Sequence, residues 1–595
     1  MTSPPPQSSA AETGLPPETP PQAGLPAGPE DRRTTRNTAP WWIGLIGGIC
    51  AFTAILALPP AEGLRRAAAK RFVERLPSSL RLELTDRNGQ LIERQARRLS
   101  IHLRRDDGEP LSGSAWQALQ KSERARYAKP QSVWSLCQQA ARAARGVVAV
   151  AVLMIIFWIT GVLPTAATAL LPFVLFPLLG VAQLVQPSFP GYFVVATQYT
   201  NQLIFLFMGT FMLSKAMTRW GLDSRIASLI LRSFGQHPAI LMLGFVVASG
   251  FLSMWITNTA TTATLVPTAI AVLARSTDPQ VGRFRAGLLL AIAYSATVGG
   301  MATLVGTAPN AIYASFAQTL LGHEVSFVEW LSFGLPFVLL FLPVVWLFHV
   351  YRFIPRGLRL PEAGPLGRAE PLTRAQWQVA VVFALMVLLW ISRREIAVVG
   401  WPGWQHLSLG ALSLRWINDS AVAMFGALLL FALPVDLGRR VFTLELREAM
   451  DISWATLLLF GGGLALGQGI GNTGVAGWIA TLLDGAAAFG PHVLLLAVAT
   501  TASLLTEVTS NTATATMLMP VMFSLGRSLG GGELRLMATA AVATSMAFMS
   551  PIGTPPNAIV YGTGYVSMGQ MFRAGVALNI AAILIWWGVA SIFAG

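Results

Sequence analysis

Two polar motifs, each present twice and in the same order within apolar stretches, constrain this chain more than any other feature. Ser253, Thr257, Asn258, Thr259, Ala260-Thr261 and Pro267 recur 253 residues later as Thr506, Ser510, Asn511, Thr512, Ala513-Thr514 and Pro520. Gly306-Thr307-Ala308-Pro309-Asn310-Ala311-Ile312 recurs as Gly553-Thr554-Pro555-Pro556-Asn557-Ala558-Ile559, after a six-residue deletion. Phe207-Met208-Gly209-Thr210 opens the first copy and Phe460-Gly461-Gly462-Gly463 the second. Any fold must therefore hold two similar repeats, 200–350 with a tip at 257–259 and 453–594 with a tip at 510–512.

The surroundings of these motifs fix the solvent. Of the 595 residues 53% are hydrophobic and only 12% charged, against about 25% charged in soluble domains. Apolar runs at 146–163, 166–184, 200–218, 286–305, 328–350, 376–392, 417–435, 453–470, 535–552 and 572–594 approach or reach the ~20 residues a spanning helix needs. Trp41–Leu58 begins too late for a cleaved signal peptide and reads as a first spanning helix over 41–59. The regions 237–274 and 491–525 are apolar but broken by the Asn-Thr motifs. The chain reads as an all-α polytopic membrane protein, with helices at 146–199 and 351–452 flanking the first repeat.

Two segments stand apart. Residues 1–40 hold ten prolines and no apolar run, which predicts a disordered tail. Residues 60–145 form a hydrophilic insertion with 18 basic and 9 acidic side chains, most of the net charge of +14. Within it Leu80–Thr85 and Gln90–Gln95 flank Asp86-Arg87-Asn88-Gly89 as a candidate hairpin, between basic helices at Gly63–Leu76 and Ala115–Ala128. Such a segment reads as a solvated basic region near anionic headgroups, with a small subdomain as a further option. A nucleic-acid surface would interleave aromatics with the cations, and only Phe72, Trp116, Tyr127 and Trp134 are at hand.

Other chemistries are excluded by what their sites require. The two cysteines, Cys50 and Cys137, make no disulfide framework, and the six histidines have no metal-ligand spacing. There is no phosphate-binding loop, which argues against ATP-driven transport by this chain, and no catalytic constellation. A passive pore would show rings of charge or carbonyl filters, and neither repeat motif is charged at its centre.

The broken stretches do offer a chemistry. Paired interrupted segments in corresponding halves point to a transporter's binding site near the midplane. Ser253 and Thr257, like Thr506 and Ser510, are spaced to share a helical face where the first arm ends. Hydroxyls beside the free carbonyls of a helix C-terminus suit a hard cation. The arm that follows begins at the Asn-Thr pair with free N–H groups, which favour an anion. Two facing clamps fit a doubly negative substrate. Glu507 has two readings, a proton carrier or a structural partner, and its counterpart is Met254. Lys215 and Arg219 either contact an anion or reach to the membrane surface.

With these motifs the chain resembles the divalent anion/sodium symporter family, carriers of di- and tricarboxylates and sulfate. The resemblance rests on Leu252–Thr261, Thr506–Thr512, Gly306–Asn310 and Gly553–Asn557, and covers most of 41–59 and 146–595. It implies a homodimer with eleven spanning helices and two re-entrant hairpins per subunit, built as two inverted repeats. A transport domain would move against a scaffold as an elevator. It implies one sodium site at Ser253, Thr257, Asn258 and Gly306, and another at Thr506, Ser510, Asn511 and Gly553. Substrate carboxylates would meet Asn258, Thr259, Asn511, Thr512, Thr554 and Pro555. Thr257 stands where the family usually has serine, and Ala308 where it usually has proline. The function implied is sodium-coupled symport of dicarboxylates of the succinate, malate and fumarate class, with sodium as coupling ion and no other cofactor. Sodium-independent exchange, or transport of citrate or sulfate, remains the alternative. The implied orientation, in the cell's inner membrane with the N-terminus cytoplasmic and the C-terminus outside, puts 19 basic residues inside. Five lie outside, besides the insertion's 18, whose length largely exempts it from the positive-inside rule.

Overall fold

The computed structural model describes residues 38–593 except 77, 87–90, 104–109, 113–130, 182–190, 236, 275, 277, 279, 359, 361–370, 396–399 and 410–411. Most of the N-terminal tail, the turn at Arg87-Asn88-Gly89 and the basic helix expected at Ala115–Ala128 lie outside the described residues.

Helix α1 (Thr38–Ala57) is apolar, and the chain bends by 69° after it into α2 (Glu62–Glu74). On α2 Leu64 and Ala68 are buried four residues apart, as are Ala69 and Val73, and the helix packs against α5 (Val133–Thr160). Two short helices follow, α3 (Ser78–Leu84) and α4 (Glu93–Arg98). The strand expected at Leu80–Thr85 is thus helical. Leu76, Leu80 and Leu84 recur every four residues, and all three are buried in a small separate core with Ala96 and Cys137. Among the described residues, only the Thr85–Leu91 bridge remains of the expected hairpin. Strands β1 (Ser100–Leu103), β2 (Pro110–Ser112) and β3 (Gln131–Ser132) form an antiparallel sheet in the order β2-β1-β3, so the insertion departs from the all-α expectation.

Beyond α5 the chain is mostly helical and the repeat is visible element by element. The first copy runs α6 (Gln202–Arg219), α7 (Leu222–Arg232), α8 (Pro238–Ser253), α9 (Asn258–Leu273), α10 (Val281–Gly300), α11 (Ala308–Phe316) and α12 (Phe327–Phe353). Helices α13 (Arg374–Ser392) and α14 (Asp419–Ala432) separate it from the second. That copy runs α15 (Trp454–Thr473), α16 (Val475–Leu482), α17 (Gly490–Thr506), α18 (Asn511–Ser528), α19 (Glu533–Ala543), α20 (Pro555–Gly562) and α21 (Met568–Phe593). Among the described residues, α5, α10, α12, α13, α15 and α21 are long and apolar enough to cross a membrane. The apolar runs at 286–305 and 535–552 do not stay helical to their ends, because α10 stops at Gly300 and α19 at Ala543, where Gly, Ser and Thr enter the sequence.

Hydrogen bonds order the two ends of the molecule. Gln376, at the start of α13, donates to Trp220 O (2.9 Å), and Trp220 donates to Thr443 O (2.8 Å). Nineteen residues of α13 then rise roughly 28 Å to Arg393, which pairs with Asp419 (2.7 Å) and Glu324 (2.9 Å) at the opposite face. Trp346, late in α12, donates to Ala239 O (2.9 Å) at the start of α8, so the first broken pair, α8–α9, opens toward the Trp220 face. Helix α15 starts beside Met450, where Trp454 donates to its carbonyl, and ends against the insertion, where Arg75 donates to Asn472 Oδ1 (2.6 Å). Arg527, at the end of α18, lines a cavity with α2 and Gly471. The second pair, α17–α18, therefore opens toward the insertion. Between them, residues 286–306 and 536–548 are buried without interruption, through α10 and α19 and past their ends.

Candidate functional site

Each broken pair brings one asparagine amide back onto the helix end that precedes it. In the first, Ser253 ends α8 and Thr257 has left the helical path (φ −61°, ψ 145°). The two hydroxyls do not share a helical face, contrary to their spacing. Thr257 instead caps α9, accepting from the Ala260 N–H (3.3 Å), while Ser253 Oγ donates to Asn258 Oδ1 (2.6 Å). A Cβ at Gly300 would overlap Asn258 Oδ1 and lie 3.1 Å from Gly306 O. Bare backbone at Gly300 is what leaves room there for the amide and the Gly306 carbonyl.

The second pair repeats this with Thr506, whose hydroxyl is 2.7 Å from both Asn511 Oδ1 and Thr544 O. The same end of the Asn511 amide lies 3.1 Å from Thr544 O and 3.2 Å from Gly553 O. With Nδ2 turned there its two N–H groups are shared among the three oxygens and the cluster closes on itself. With Oδ1 turned there, four oxygens face one another with a single hydroxyl proton among them. That orientation would call for a small cation to supply the missing positive charge, with no carboxylate needed. Ser510 caps α18 without a side-chain bond and is exposed, unlike Thr257.

The glycine-containing breaks that face these amides are duplicated bond for bond. Asn310 Nδ2 donates to Gly300 O (3.1 Å) and Thr303 O (2.7 Å), and Asn557 Nδ2 to Ala547 O (3.0 Å) and Ser550 O (2.9 Å). Thr303 Oγ1 donates to Met254 O (2.5 Å) and Ser550 Oγ to Glu507 O (2.9 Å). Each of these hydroxyls accepts from the next glycine, Gly306 N or Gly553 N, both at 3.1 Å. Thr307 and Thr554 precede α11 and α20 at nearly the same backbone angles (φ −145° and −141°), so Ala308 follows the same course as Pro555. Asn310 Oδ1, Asn557 Oδ1 and Thr554 Oγ1 are buried without a hydrogen-bond partner, which leaves acceptors spare beside both clusters.

Glu507 is where the halves differ. Its carboxylate accepts from Phe548 N (2.8 Å), Met549 N (2.9 Å), Ser550 N (3.1 Å) and Asn579 Nδ2 (2.9 Å). Four donors on a buried carboxylate fit the structural-partner reading of this residue. Opposite Met254 there is no such anchor among the described residues, and Met301 N and Ala302 N bond to Val298 O and Gly299 O as helical turns.

The two clusters are interlocked. Helix α9 packs against α20 and α18 against α11, and α20 also packs on α10 as α11 does on α19. Each second arm thus borders the break of the other repeat, the reciprocity expected of a two-fold relation. Of the sequence-predicted substrate residues, Asn258 and Asn511 are half-buried at helix N-termini, Thr259 and Pro555 are exposed, Thr512 is half-buried and Thr554 buried. Lys215 and Arg219 are occupied elsewhere, Lys215 by Asp451 (2.5 Å) and Arg219 by Glu445 (2.9 Å) and Glu448. Sequence reasoning missed Thr544, which takes part through its carbonyl and so leaves no side-chain signal. It also missed Asn579, whose signal was a lone amide in an apolar run.

Comparison with known proteins follows the same boundaries. Residues 136–594 match the sodium:sulfate symporter transmembrane region. The sodium-dependent dicarboxylate transporters SdcS of Staphylococcus saprophyticus and of Staphylococcus aureus are each 36% identical over 462 residues, 74% of this chain and 84% of theirs. The crystal structure of the Alcanivorax borkumensis YdaH transporter shares the fold at a TM-score of 0.50 and 15% identity, over 67% of this chain and 86% of that one. Residues 1–135, with nearly all of the insertion, fall outside the matched region.

Proposed function

Because the chain belongs to the sodium:sulfate symporter family and is an integral, multi-pass membrane protein, we propose that it is a sodium-coupled symporter of dicarboxylates of the succinate, malate and fumarate class. The observation that carries this reading is the pair of neutral oxygen clusters around Asn258 and Asn511. Ser253, Thr257, Asn258 and Gly306 hold one sodium ion, and Thr506, Ser510, Asn511 and Gly553 the other. Neutral oxygens hold a hard monovalent ion while leaving its charge to attract the substrate. The N-termini of α9, α18 and α20 then present Asn258, Thr259, Asn511, Thr512, Thr554 and Pro555 to the two carboxylates. Without sodium, the Asn511 amide closes its own cluster; with sodium, it turns its oxygen inward and its N–H groups outward toward the anion. That rotation makes ion and substrate binding interdependent, which is the requirement for coupling.

The reading extends to an elevator motion of the two repeats, 200–350 and 453–594, against a scaffold of 146–199 and 351–452. It takes eleven crossing helices, two re-entrant hairpins and a homodimer in the cell's inner membrane. Each net positive charge carried inward adds about 2.3 kcal/mol of driving force per 100 mV. The test is uptake of labelled succinate into proteoliposomes with an inward sodium or potassium gradient. Uptake is expected with sodium alone. Equal uptake with potassium overturns coupling, and a requirement for dicarboxylate inside the vesicles establishes exchange instead.

A further inference from the structure

The insertion and the second repeat enclose a cavity of about 910 Å³ between α2 and the α15–α16 junction. One wall is built of small residues, Gly474, Ala476, Gly477 and Ala480, facing Ala67 and Ala69 of α2. A Cβ placed on Gly477 meets only the Ala67 Cβ, at 4.0 Å, so the space comes from side chains too short to close it. Leu91 and Trp134 add further apolar surface.

Its mouth is basic beyond what its own acids neutralise. Arg65, Arg66, Lys70, Arg71 and Arg527 line it with Glu62, Glu74 and Glu93. Glu62 is paired with Arg66, Glu74 with Arg71 (3.4 Å) and Glu93 with Arg97 (3.7 Å). Arg65, Lys70 and Arg527 have no acidic partner among the described residues. Arg71 is further fixed by donating to Gly471 O (3.2 Å), so one guanidinium is held at the repeat surface. Three cations without an acidic partner among the described residues, Arg65 and Lys70 on a helix that leaves a spanning segment at 69° and Arg527 stacked over Phe523, border an apolar recess and match the phosphate and upper acyl region of an amphiphile at the membrane surface.

We infer that this cavity binds an anionic phospholipid, its phosphate group at the mouth that Arg65, Lys70 and Arg527 make cationic and its glycerol and chain against the alanine–glycine wall. A free phosphate ester offers the same charge without the apolar part, and the experiment separates the two sources. The full-length protein in neutral detergent is titrated with phosphatidylglycerol, phosphatidylcholine or inorganic phosphate, and bound ligand is counted by native mass spectrometry. Two variants are compared with the parent: Arg65→Gln/Lys70→Gln/Arg527→Gln, which removes charge at exposed positions, and Gly477→Leu, which fills the recess and leaves charge unchanged. Phosphatidylglycerol is expected to bind at least five-fold more tightly than phosphatidylcholine, and both variants to lose that preference while melting within a few degrees of the parent. Saturable inorganic phosphate binding that is lost in the triple variant but kept in Gly477→Leu supports the phosphate site and assigns a soluble source. Equal retention of both lipids, or a preference that survives both variants, overturns the inference. Sodium-driven uptake plays no part in the readout, so failure of the transport proposal leaves this test intact.

Discussion

At the scale of single residues, the half-buried amides are the groups with most to lose. Truncating either removes an oxygen from its cluster, and at Asn258 it also leaves the Ser253 hydroxyl unmatched, whereas Thr506 keeps Thr544 O; the loss is about 1.5–3 kcal/mol where a charged ligand is involved. Asn258→Ala and Asn511→Ala should each lower sodium-dependent uptake by roughly ten-fold or more while the protein still elutes as a single folded species. Normal uptake in both would sink the site assignment. Glu507 carries a different burden, since its carboxylate satisfies three buried N–H groups and the Asn579 amide. Glu507→Ala should therefore destabilise the protein by about 3 kcal/mol or more, seen as a lower melting temperature without substrate or sodium. An unchanged melt would show that the loop at 547–553 holds itself. The hydroxyls and amides were legible in the sequence because a polar side chain in a lipid-facing run demands a reason. The carbonyls of Thr544, Gly553 and Gly306 were not, because every residue has one and only the fold says which are aimed inward.

At the scale of elements, the site depends on where helices stop. The sequence pattern placed both breaks correctly, since Asn-Thr and Gly-Thr pairs interrupt runs that otherwise favour uninterrupted helix. It misplaced Thr257 by assuming that α8 continues through it, whereas the turn at Met254–Thr257 hands that hydroxyl to the cap of α9. It also read Leu80–Thr85 as a strand, where four-residue leucine spacing against a small core makes a helix. Glycine at 300 and alanine at the equivalent 547 give an asymmetric test. Gly300→Ala places a methyl group on the Asn258 amide and should abolish uptake, whereas Ala547→Gly should leave it within a few-fold. Equal effects would contradict the packing described. Ala308→Pro should be tolerated, because α20 starts from the same backbone angles with proline in that place. The expected gain is about 0.4–1 kcal/mol in thermal stability, and loss of folding would show that the two breaks are not equivalent.

At the scale of the whole molecule, the broken pairs open toward opposite ends, and the proposed orientation puts the Trp220 end in the cytoplasm and the insertion end outside. The Trp220 face carries Arg219, Arg225, Arg439 and Arg440 near its helix ends, while Arg393, Arg394 and Arg415 lie toward the insertion face. In a background with Cys50 and Cys137 replaced, a cysteine at exposed Gly438 should react with an impermeant thiol reagent only from the cytoplasm. A cysteine at Trp416, 85% exposed, should react only from outside. Labelling of both from one side would refute the orientation. The cross-packing of α9 on α20 and of α18 on α11 has a further consequence. Each oxygen cluster is drawn from one repeat but is bordered by an arm of the other, so cutting the chain between the repeats should yield fragments that are inert apart and competent only when co-produced. An ancestral polypeptide holding a single repeat would have had to insert both ways up in one bilayer, meeting an upside-down copy of itself to build the same enclosure.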